Sequence, residues 1–142
     1  MQFLNELLAL KGHAVHAIDP DAPVRQALER MAEHNVGALL VMRDERLEGV
    51  ISERDYARKV ALSGRTSADT PVREIMSDQP ITVDTRTSVE ACMRLCTDSR
   101  IRHLPVMDGE RVIGVVSIGD LVRAVIDAQA QAIDQLQTYI AG

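Results

Sequence analysis

Residues 49–60 read GVISERDYARKV, and residues 114–125 read GVVSIGDLVRAV. Both stretches place Gly, two branched apolar residues, Ser, two variable residues and Asp in the same order, followed by a helical pattern with Arg at the same position. The two glycines lie 114 − 49 = 65 residues apart. The same offset aligns residues 18–60 with residues 83–125 without a gap. The chain is therefore an internal duplication.

Identical residues recur through both copies at this offset. They include Asp19/Asp84, Val24/Val89, Leu39/Leu104, Val41/Val106, Met42/Met107, Glu45/Glu110, Arg46/Arg111, Gly49/Gly114, Ser52/Ser117, Asp55/Asp120 and Arg58/Arg123. One copy of roughly 45–60 residues buries little core by itself. We therefore expect the two copies to pack together about a pseudo-two-fold axis.

Each copy predicts the element order β-α-β-β-α. A short strand (AVHAI or ITV) precedes a helix with an apolar stripe at i, i+3, i+4 and i+7, and then a hairpin leads into a second helix. Pro23 suits the first helical position, and Thr87 with Glu90 spells a capping box. The turn dipeptide Asp108-Gly109 marks the second hairpin. The fold class predicted is α+β, in two tandem repeats with a long C-terminal helix.

Two cysteines fall on the apolar stripe of the second copy. Cys92 and Cys96 stand where the first copy has Ala27 and Met31. Free cysteine is among the most buried residue types. We interpret both as buried core thiols rather than metal ligands. His13, His16 and His34 show no metal-ligand spacing and are predicted to lie on the surface.

The repeats define the expected division of the chain. Residues 1–63 comprise an N-terminal helix and the first repeat, residues 64–76 a linker with a short helical turn, and residues 77–142 the second repeat and the C-terminal helix. At the 65-residue offset, the linker residues Val72, Ile75 and Met76 match Leu7, Leu10 and Lys11. The duplication thus extends weakly into the N-terminal helix.

Composition excludes several functional classes. The chain has 142 residues, 46% apolar and 2% aromatic, so the core must be aliphatic. A net charge of −5 argues against a general nucleic-acid-binding protein. No apolar run approaches the ~20 residues of a membrane helix, and the start, MQFLNELLALKG, lacks a basic segment and a cleavage site. We expect a cytoplasmic protein.

The repeated Ser-x-x-Asp admits two interpretations. In the first, Ser caps the helix and Asp favours the positive end of the helix dipole, which requires no ligand. In the second, the helix start offers N–H groups to a phosphate while the carboxylate accepts hydrogen bonds from ribose hydroxyls. The recurrence of Gly, Ser and Asp together in both copies favours the second.

Two β-α-β-β-α copies, each ending in Gly-hydrophobic-x-Ser-x-x-Asp, resemble a cystathionine-β-synthase (CBS) domain pair, or Bateman module. The tracts SERDYARKVALSGR, TPVREIM, RHLPV and SIGDLV are similar to small stand-alone bacterial CBS-pair proteins of signal transduction. The resemblance covers nearly the whole chain. It implies binding of an adenosyl compound (AMP, ADP, ATP, S-adenosylmethionine or NAD) in clefts between the copies.

The resemblance also implies site residues. Asp55 and Asp120 would hold ribose hydroxyls, and Ser52 and Ser117 would lie near ribose or phosphate. Thr82 would contact the ligand. The backbone around Arg102, His103 and Leu104, just before Pro105, would contact the adenine edge, with Gly37, Ala38 and Leu39 in the matching place of the first copy.

Several assignments remain open at this level. Arg54, Arg58 and Lys59 suit either phosphate contacts or a solvated basic helix face. His103 suits either adenine contact or a structural role. Of the two clefts, we expect the one using Asp120 and His103 to be occupied.

The C-terminal helix suggests assembly. Its residues Val122, Ile126, Gln129, Ile133, Leu136 and Ile140 follow steps of 4, 3, 4, 3 and 4, as in a coiled-coil seam. CBS pairs also commonly dimerise, so we expect a homodimer. The leading hypothesis is a non-catalytic regulatory module whose ligand occupancy is relayed to an effector protein. The alternative is a structural dimer that binds a partner protein without a nucleotide. No nucleophile–base pair or catalytic acid pair indicates an enzyme.

Overall fold

The computed structural model describes residues 2–141 and consists of two halves with the same architecture. The first half contains an N-terminal helix, a short strand, a second helix, a hairpin and a third helix. These elements are α1 (Leu4–Lys11), β1 (Ala17–Ile18), α2 (Val24–His34), β2 (Ala38–Arg43), β3 (Arg46–Ser52) and α3 (Glu53–Tyr56), which continues as a π-helical segment over Ala57–Ala61.

The second half follows a short 3₁₀ turn at Val72–Glu74. Its elements are β4 (Val83–Asp84), α4 (Val89–Ser99), β5 (His103–Asp108), β6 (Arg111–Ser117) and the 24-residue helix α5 (Ile118–Ala141). The predicted order of elements and the α+β class are confirmed. The first strand of each half is shorter than its apolar run predicts.

The two sheets are related residue by residue. Each has three strands, in the orders β1-β2-β3 and β4-β5-β6, with the first pair parallel and the second antiparallel. Ala38 pairs with Ser52 in the first half, and His103 pairs with Ser117 in the second, at the 65-residue offset. The irregularity after Val41 recurs after Val106. The duplication is thus preserved in strand register.

The helix starts differ slightly from the sequence prediction. Pro23 is the N-cap of α2 rather than its first helical residue. The N-cap of α4 is Ser88, whose hydroxyl accepts a hydrogen bond from the Ala91 amide at 3.1 Å. The predicted capping box on Thr87 is therefore wrong by one residue. The Thr87 hydroxyl instead contacts the Asp84 carboxylate and accepts the Asp84 amide, which holds the loop before the helix.

Each half has its own aliphatic core, and each core is completed by a segment from elsewhere in the chain. Leu4, Leu7 and Leu8 of α1 are buried in the core of the second half, while Val72 and Ile75 of the linker are buried in that of the first. Helix α1 thus belongs spatially to the second half, although it precedes the first in sequence.

We call α1 and residues 72–76 the crossing segments, because each packs in the core of the half that is more distant in sequence. Backbone hydrogen bonds show which of their residues correspond. The Leu4 amide donates to the Thr87 carbonyl at 3.1 Å, and the Val72 amide donates to the Ala22 carbonyl at 2.8 Å. Thr87 and Ala22 are 65 residues apart, whereas Leu4 and Val72 are 68 apart. The predicted match of Leu10 with Ile75 is therefore wrong, because the N-terminal segment has three extra residues, which extend the end of α1. Leu10 is 86% exposed.

Helix α5 leaves the body of the protein after its first two turns. Leu121 and Ala124 are buried, but every residue from Ile126 to Ala141 is exposed. Its exposed apolar residues include Val122, Ile126, Ile133, Leu136 and Ile140. Within residues 2–141, the helices are all too short or too polar to span a bilayer.

Candidate ligand-binding site

A cavity of about 620 Å³ opens at the start of α3, between the two halves. The first half contributes the end of β3, the first turns of α3 and Gly37. The second half contributes the segments before β4 and β5. The volume lies within the 300–1,000 Å³ typical of small-molecule sites. We call this space the Asp55 cavity; its lining residues are Gly37, Val50, Ser52, Glu53, Arg54, Asp55, Arg58, Lys59, Ser77, Gln79, Pro80, Ile81, Arg100, Ile101, Arg102 and His103.

Ser52 and Asp55 form a capping box at the start of α3. The Asp55 amide donates to Ser52 Oγ at 3.2 Å, and the Ser52 amide donates to Asp55 Oδ2 at 2.9 Å. The Glu53 amide donates a hydrogen bond to the Gly37 carbonyl at 3.0 Å. The capping interpretation is therefore confirmed. Because these amides already have partners, anion binding at this helix start depends mainly on side chains.

Basic side chains surround the Asp55 cavity. Lys59 Nζ donates to the Ile75 carbonyl at 2.9 Å and lies 3.3 Å from Asp55 Oδ1. The remaining four cations are Arg54, Arg58, Arg100 and Arg102. Within residues 2–141, none of these four arginines forms an ion pair with a carboxylate. Unpaired guanidinium groups around one cavity favour an anionic ligand, and phosphate above all.

His103 forms part of the cavity wall beside Gly37. A side-chain carbon added at Gly37 would lie 3.9 Å from His103 Nε2, an ordinary contact distance, so the two residues are neighbours in this wall. Burial lowers the pKa of His103, and the nearby cations Lys11 and Arg102 lower it further, while Asp120 opposes them. The imidazole is therefore neutral near pH 7 and presents one donor and one acceptor.

The second Ser-x-x-Asp has the same cap but different surroundings. The Ser117 amide donates to Asp120 Oδ2 at 2.8 Å, and the Asp120 amide donates to Ser117 Oγ at 3.1 Å. Lys11 Nζ lies 2.5 Å from the same Oδ2 and donates to the Val115 carbonyl. Burial acts to raise the pKa of Asp120, but the Lys11 ammonium and the Ser117 hydrogen bonds outweigh it and lower the pKa below 3.8.

Asp120 lines a different cavity from His103. This space, of about 850 Å³, lies between α1 and α5 and is lined by Asp120, Arg123 and the facing residues of the two helices. The structure therefore divides the predicted site residues. The Asp55 cavity brings together Gly37, Ser52, Arg54, Asp55, Arg58, Lys59, Arg102 and His103.

The other predicted residues lie outside the Asp55 cavity. Leu39, Leu104 and Pro105 are buried in the sheets, Ala38 is half-buried on β2, and Thr82 is exposed before β4. Ser117 and Asp120 form the second helix start. Only the backbone of Leu39 and Leu104 is left for ligand contacts, since both side chains pack into the cores.

Sequence reasoning missed three contributors. Arg100 ends α4 in the left-handed conformation (φ 55°), which brings it to the cavity; its counterpart Asn35 has φ 54°. The segment from Gln79 to Ile81 supplies one wall. Lys11 reaches Asp120 from α1. For Lys11, the sequence offered no local signal, because its contact with Asp120 spans 109 residues.

The two thiols and the three histidines of the first half lie outside the lining of the Asp55 cavity. Cys92 and Cys96 are free and buried in the second core, as predicted. Burial raises the pKa of Cys92 to about 11. His13 and His34 are exposed as predicted, but His16 is half-buried and stacks on His34 with ring centroids 3.9 Å apart. Within residues 2–141, no three His, Cys, Asp or Glu side chains group as metal ligands would.

Comparison with known proteins agrees with the duplicated architecture. The CBS domain family matches twice, over residues 12–62 and 72–127. The CBS domain-containing protein CBSX3, mitochondrial, of Arabidopsis thaliana is 45% identical over 127 residues. That match covers 86% of this chain and 62% of the plant protein, so the chain spans about three fifths of that relative's length.

Solved structures show the same fold. A candidate signal-transduction protein with CBS domains from Burkholderia ambifaria is 42% identical, with a TM-score of 0.85, over 91% of this chain and 96% of its own. The structure of CBSX2 in complex with AMP is 30% identical, with a TM-score of 0.67, over 81% of this chain and 90% of its own. With the duplicated sequence, the matched registers and these likenesses, the chain belongs to the CBS domain family, and its halves are two CBS repeats.

Proposed function

We propose that this protein is a non-catalytic regulatory module that binds an adenine nucleotide in the Asp55 cavity. The observation that carries the proposal is the group of four unpaired arginines, Arg54, Arg58, Arg100 and Arg102, around a cavity that also contains a carboxylate. A nucleotide combines the two chemistries this arrangement serves, phosphate for the guanidinium groups and ribose hydroxyls for Asp55. The AMP complex of CBSX2 supports an adenine ligand.

The choice of cavity differs from the expectation from sequence. We expected the cleft of Asp120 to be occupied, but Lys11 already pairs with that carboxylate at 2.5 Å. Asp55 Oδ1 has a longer contact, 3.3 Å from Lys59. The lysine contact of Asp55 is thus the longer and weaker of the two, which favours Asp55 as the acceptor for ribose hydroxyls. We therefore assign the nucleotide to the Asp55 cavity.

The number of arginines also ranks the ligands. Three negatively charged phosphate groups can engage more of the four guanidinium groups than one phosphate can. We propose the affinity order ATP, then ADP, then AMP, with NAD, whose two phosphates carry less charge, below ADP. S-adenosylmethionine carries no phosphate and would bind least well. Glu53 also lines the cavity and repels anions, but its single negative charge is outweighed by the positive charges of the four arginines.

Occupancy would be relayed through the halves themselves. The cavity takes its walls from both CBS repeats, so a ligand that contacts both walls stabilises one angle between them. A ligand shifts such an equilibrium only by its difference in affinity for the two states. An effector protein that contacts both halves, or a second copy of the chain, would then sense nucleotide supply.

The experiment is calorimetric titration of the full chain with ATP, ADP, AMP, NAD and S-adenosylmethionine, at low and moderate salt. We expect ATP to bind most tightly, and we expect its affinity to fall as the salt concentration rises, because ion pairs are screened. Arg58→Ala should weaken ATP binding by about tenfold, equivalent to ~1.4 kcal/mol for a charged hydrogen bond. Arg111→Ala, an exposed arginine on the hairpin of the second half, is the matched control and should bind like wild type. Absence of binding by every nucleotide would refute the proposal.

The second candidate function, a structural dimer, is favoured by the exposed apolar residues of α5. Ile126, Ile133, Leu136 and Ile140 are each more than half exposed and follow the 3–4 spacing of a helix–helix seam. Dimerisation is compatible with nucleotide binding, and we propose that α5 mediates it. Leu136→Asp should yield a monomer by light scattering, whereas Gln135→Asp, one residue along the same helix, should not.

A further inference from the structure

We propose that Lys11 is a built-in occupant of the second nucleotide cleft, so that the chain binds one nucleotide, and that removing its ammonium group opens a second adenosine site at Asp120. The inference rests on the proposed function, because it concerns the counterpart of the Asp55 cavity. It assigns to α1, an element outside both matched repeats, the control of how many ligands bind.

The geometry places the ammonium group where a ligand would make its polar contacts. Lys11 Nζ lies 2.5 Å from Asp120 Oδ2 and 2.5 Å from the Val115 carbonyl. Asp120 is the carboxylate that corresponds to Asp55, and Oδ2 also accepts the Ser117 amide. A ribose hydroxyl at Oδ2 would therefore compete with a charged donor that is already bonded and that also ties the carboxylate to the Val115 carbonyl. Because the donor is part of the chain, its local concentration far exceeds that of any free ligand.

The first half shows what occupies the same strand position without Lys11. The counterpart of Val115 is Val50, whose carbonyl accepts the Ser77 amide at 2.9 Å and whose amide donates to the Ser77 carbonyl at 3.1 Å. A backbone bridge thus stands where the second half has an ammonium group. The bridge is neutral, and the ammonium group nearest Asp55 is instead that of Lys59 on the same helix, 3.3 Å from Oδ1. The first half therefore has no cation from a crossing segment on its carboxylate.

The cause lies in the length of the crossing segments. Eight residues, 9–16, separate Leu8 from Ala17, whereas five residues, 77–81, separate their counterparts Met76 and Thr82. The three additional residues continue α1 to Lys11. Lys11 is the last residue of the helix, and Gly12 then turns the chain with φ 101°. This added helical turn places Lys11 beside Asp120.

The freed cleft would select a different ligand from the Asp55 cavity. Its helix start carries Arg123 in the place of Arg58, but Gly119 and Ala124 stand where the first half has Arg54 and Lys59. With fewer cations, the cleft would favour adenosine or a nucleoside monophosphate over a polyphosphate. The two clefts thus differ in both access and charge.

The experiment measures the number of AMP molecules bound per chain by calorimetry and, independently, by equilibrium dialysis. The proteins are wild type, Lys11→Met, Lys11→Gln, Lys11→Arg and the double variant Lys11→Met/Asp120→Asn. We expect one site in wild type, two in Lys11→Met and Lys11→Gln, one in Lys11→Arg, which keeps the cation, and one in the double variant. The new site should bind ATP no more tightly than AMP.

The outcomes separate this inference from the proposed function. One site in wild type and one in both neutral variants would overturn the role of Lys11 and leave the Asp55 proposal intact. No site in wild type and one in Lys11→Met would overturn the Asp55 proposal and leave the role of Lys11 intact. Two sites in wild type, measurable without any variant, would overturn the built-in occupant directly. Loss of all AMP binding in the neutral variants would also overturn it, because Lys11 would then be a ligand contact.

Discussion

The two repeats place Ser and Asp at the same helix start, yet different groups face the two carboxylates. Asp55 opens onto a cavity with four unpaired arginines, and its nearest cation is 3.3 Å away. Asp120 is held at 2.5 Å by Lys11 from α1. The strands, bulges and caps are alike, so the difference arises from Lys11 in α1 and from the repeat positions at which Gly119 and Ala124 replace Arg54 and Lys59. A duplicated motif thus fixes the backbone of a site, while flanking residues decide whether a ligand can reach it.

The same crossing segments pack differently against the repeated glycine of each hairpin. A side-chain carbon at Gly49 would lie 2.4 Å from the Ser77 carbonyl oxygen and 2.9 Å from Met76 Sδ. At Gly114 the nearest atom would be Leu8 Cδ2 at 3.0 Å. The first contact is with backbone that is hydrogen-bonded to β3, whereas the second is with the end of a flexible side chain. The first half therefore has less room to adjust.

The largest expected effect follows from this asymmetry in packing. Gly49→Ala should destabilise the protein by about 3 kcal/mol, the upper end for overpacking, because Ser77 must leave the strand. Gly114→Ala should cost about 1 kcal/mol, because Leu8 can change its rotamer. Urea unfolding of the two variants measures the difference. Equal losses of unfolding free energy in the two variants would show that the crossing segments pack alike against the two glycines, which would contradict the proposed asymmetry.

The next effect concerns the two carboxylates. Asp55→Ala should weaken ATP binding by about tenfold or more, since its hydrogen bonds to ribose are each worth ~1 kcal/mol. Asp120→Ala should change ATP affinity by less than about threefold, because that carboxylate is outside the occupied cavity. Calorimetric titration of both variants provides the measurement. A larger loss of ATP affinity in Asp120→Ala than in Asp55→Ala would show that the nucleotide binds in the Asp120 cleft.

A smaller effect distinguishes the two cores. Cys92 occupies the position of Ala27, and both are fully buried. Cys92→Ala should cost about 1 kcal/mol, as for loss of one small buried group. With its pKa raised to about 11 by burial, the native thiol should react with a disulfide reagent at pH 8 only as fast as the chain opens. Rapid reaction in the folded state would place Cys92 at the surface.

The smallest effect is the pH dependence of the Lys11–Asp120 pair. The folded pKa of Asp120 is lowered below 3.8 by Lys11 and Ser117, so its contribution is present above pH 3.8 and is lost as pH falls through the folded value. The pair is partly exposed, so about 0.2–1 kcal/mol is expected. Asp120→Asn should be less stable than wild type at pH 7, and the gap should narrow as pH falls through the folded pKa of Asp120. A gap that does not change with pH would show that the carboxylate charge is not involved.

Much of the fold could be predicted from the sequence because a duplication supplies its own alignment. The helix stripes of Val24 and Val89, the hairpins and the buried thiols follow from periodicity, and one offset links them. The capping residue of α4 was harder, because Thr87 and Ser88 are both good caps. Local sequence could not show that the Thr87 hydroxyl would bond to Asp84.

The candidate site was predictable only in part. The residues of α3 and the segment before β5 were named from the repeat and the family resemblance, and the structure brings them to one cavity. Lys11 could not be predicted, because it reaches Asp120 over 109 residues of sequence. Its role depends on where α1 crosses, and that depends on three extra residues that the 65-residue alignment conceals.

The most direct test of the account is a crystal structure of the full chain grown with ATP in excess. We expect one nucleotide per chain, with its ribose on Asp55, its phosphates among Arg54, Arg58, Arg100 and Arg102, and Lys11 still paired with Asp120. A nucleotide seated on Asp120 with Lys11 displaced, or an Asp55 cavity left without nucleotide, would contradict it.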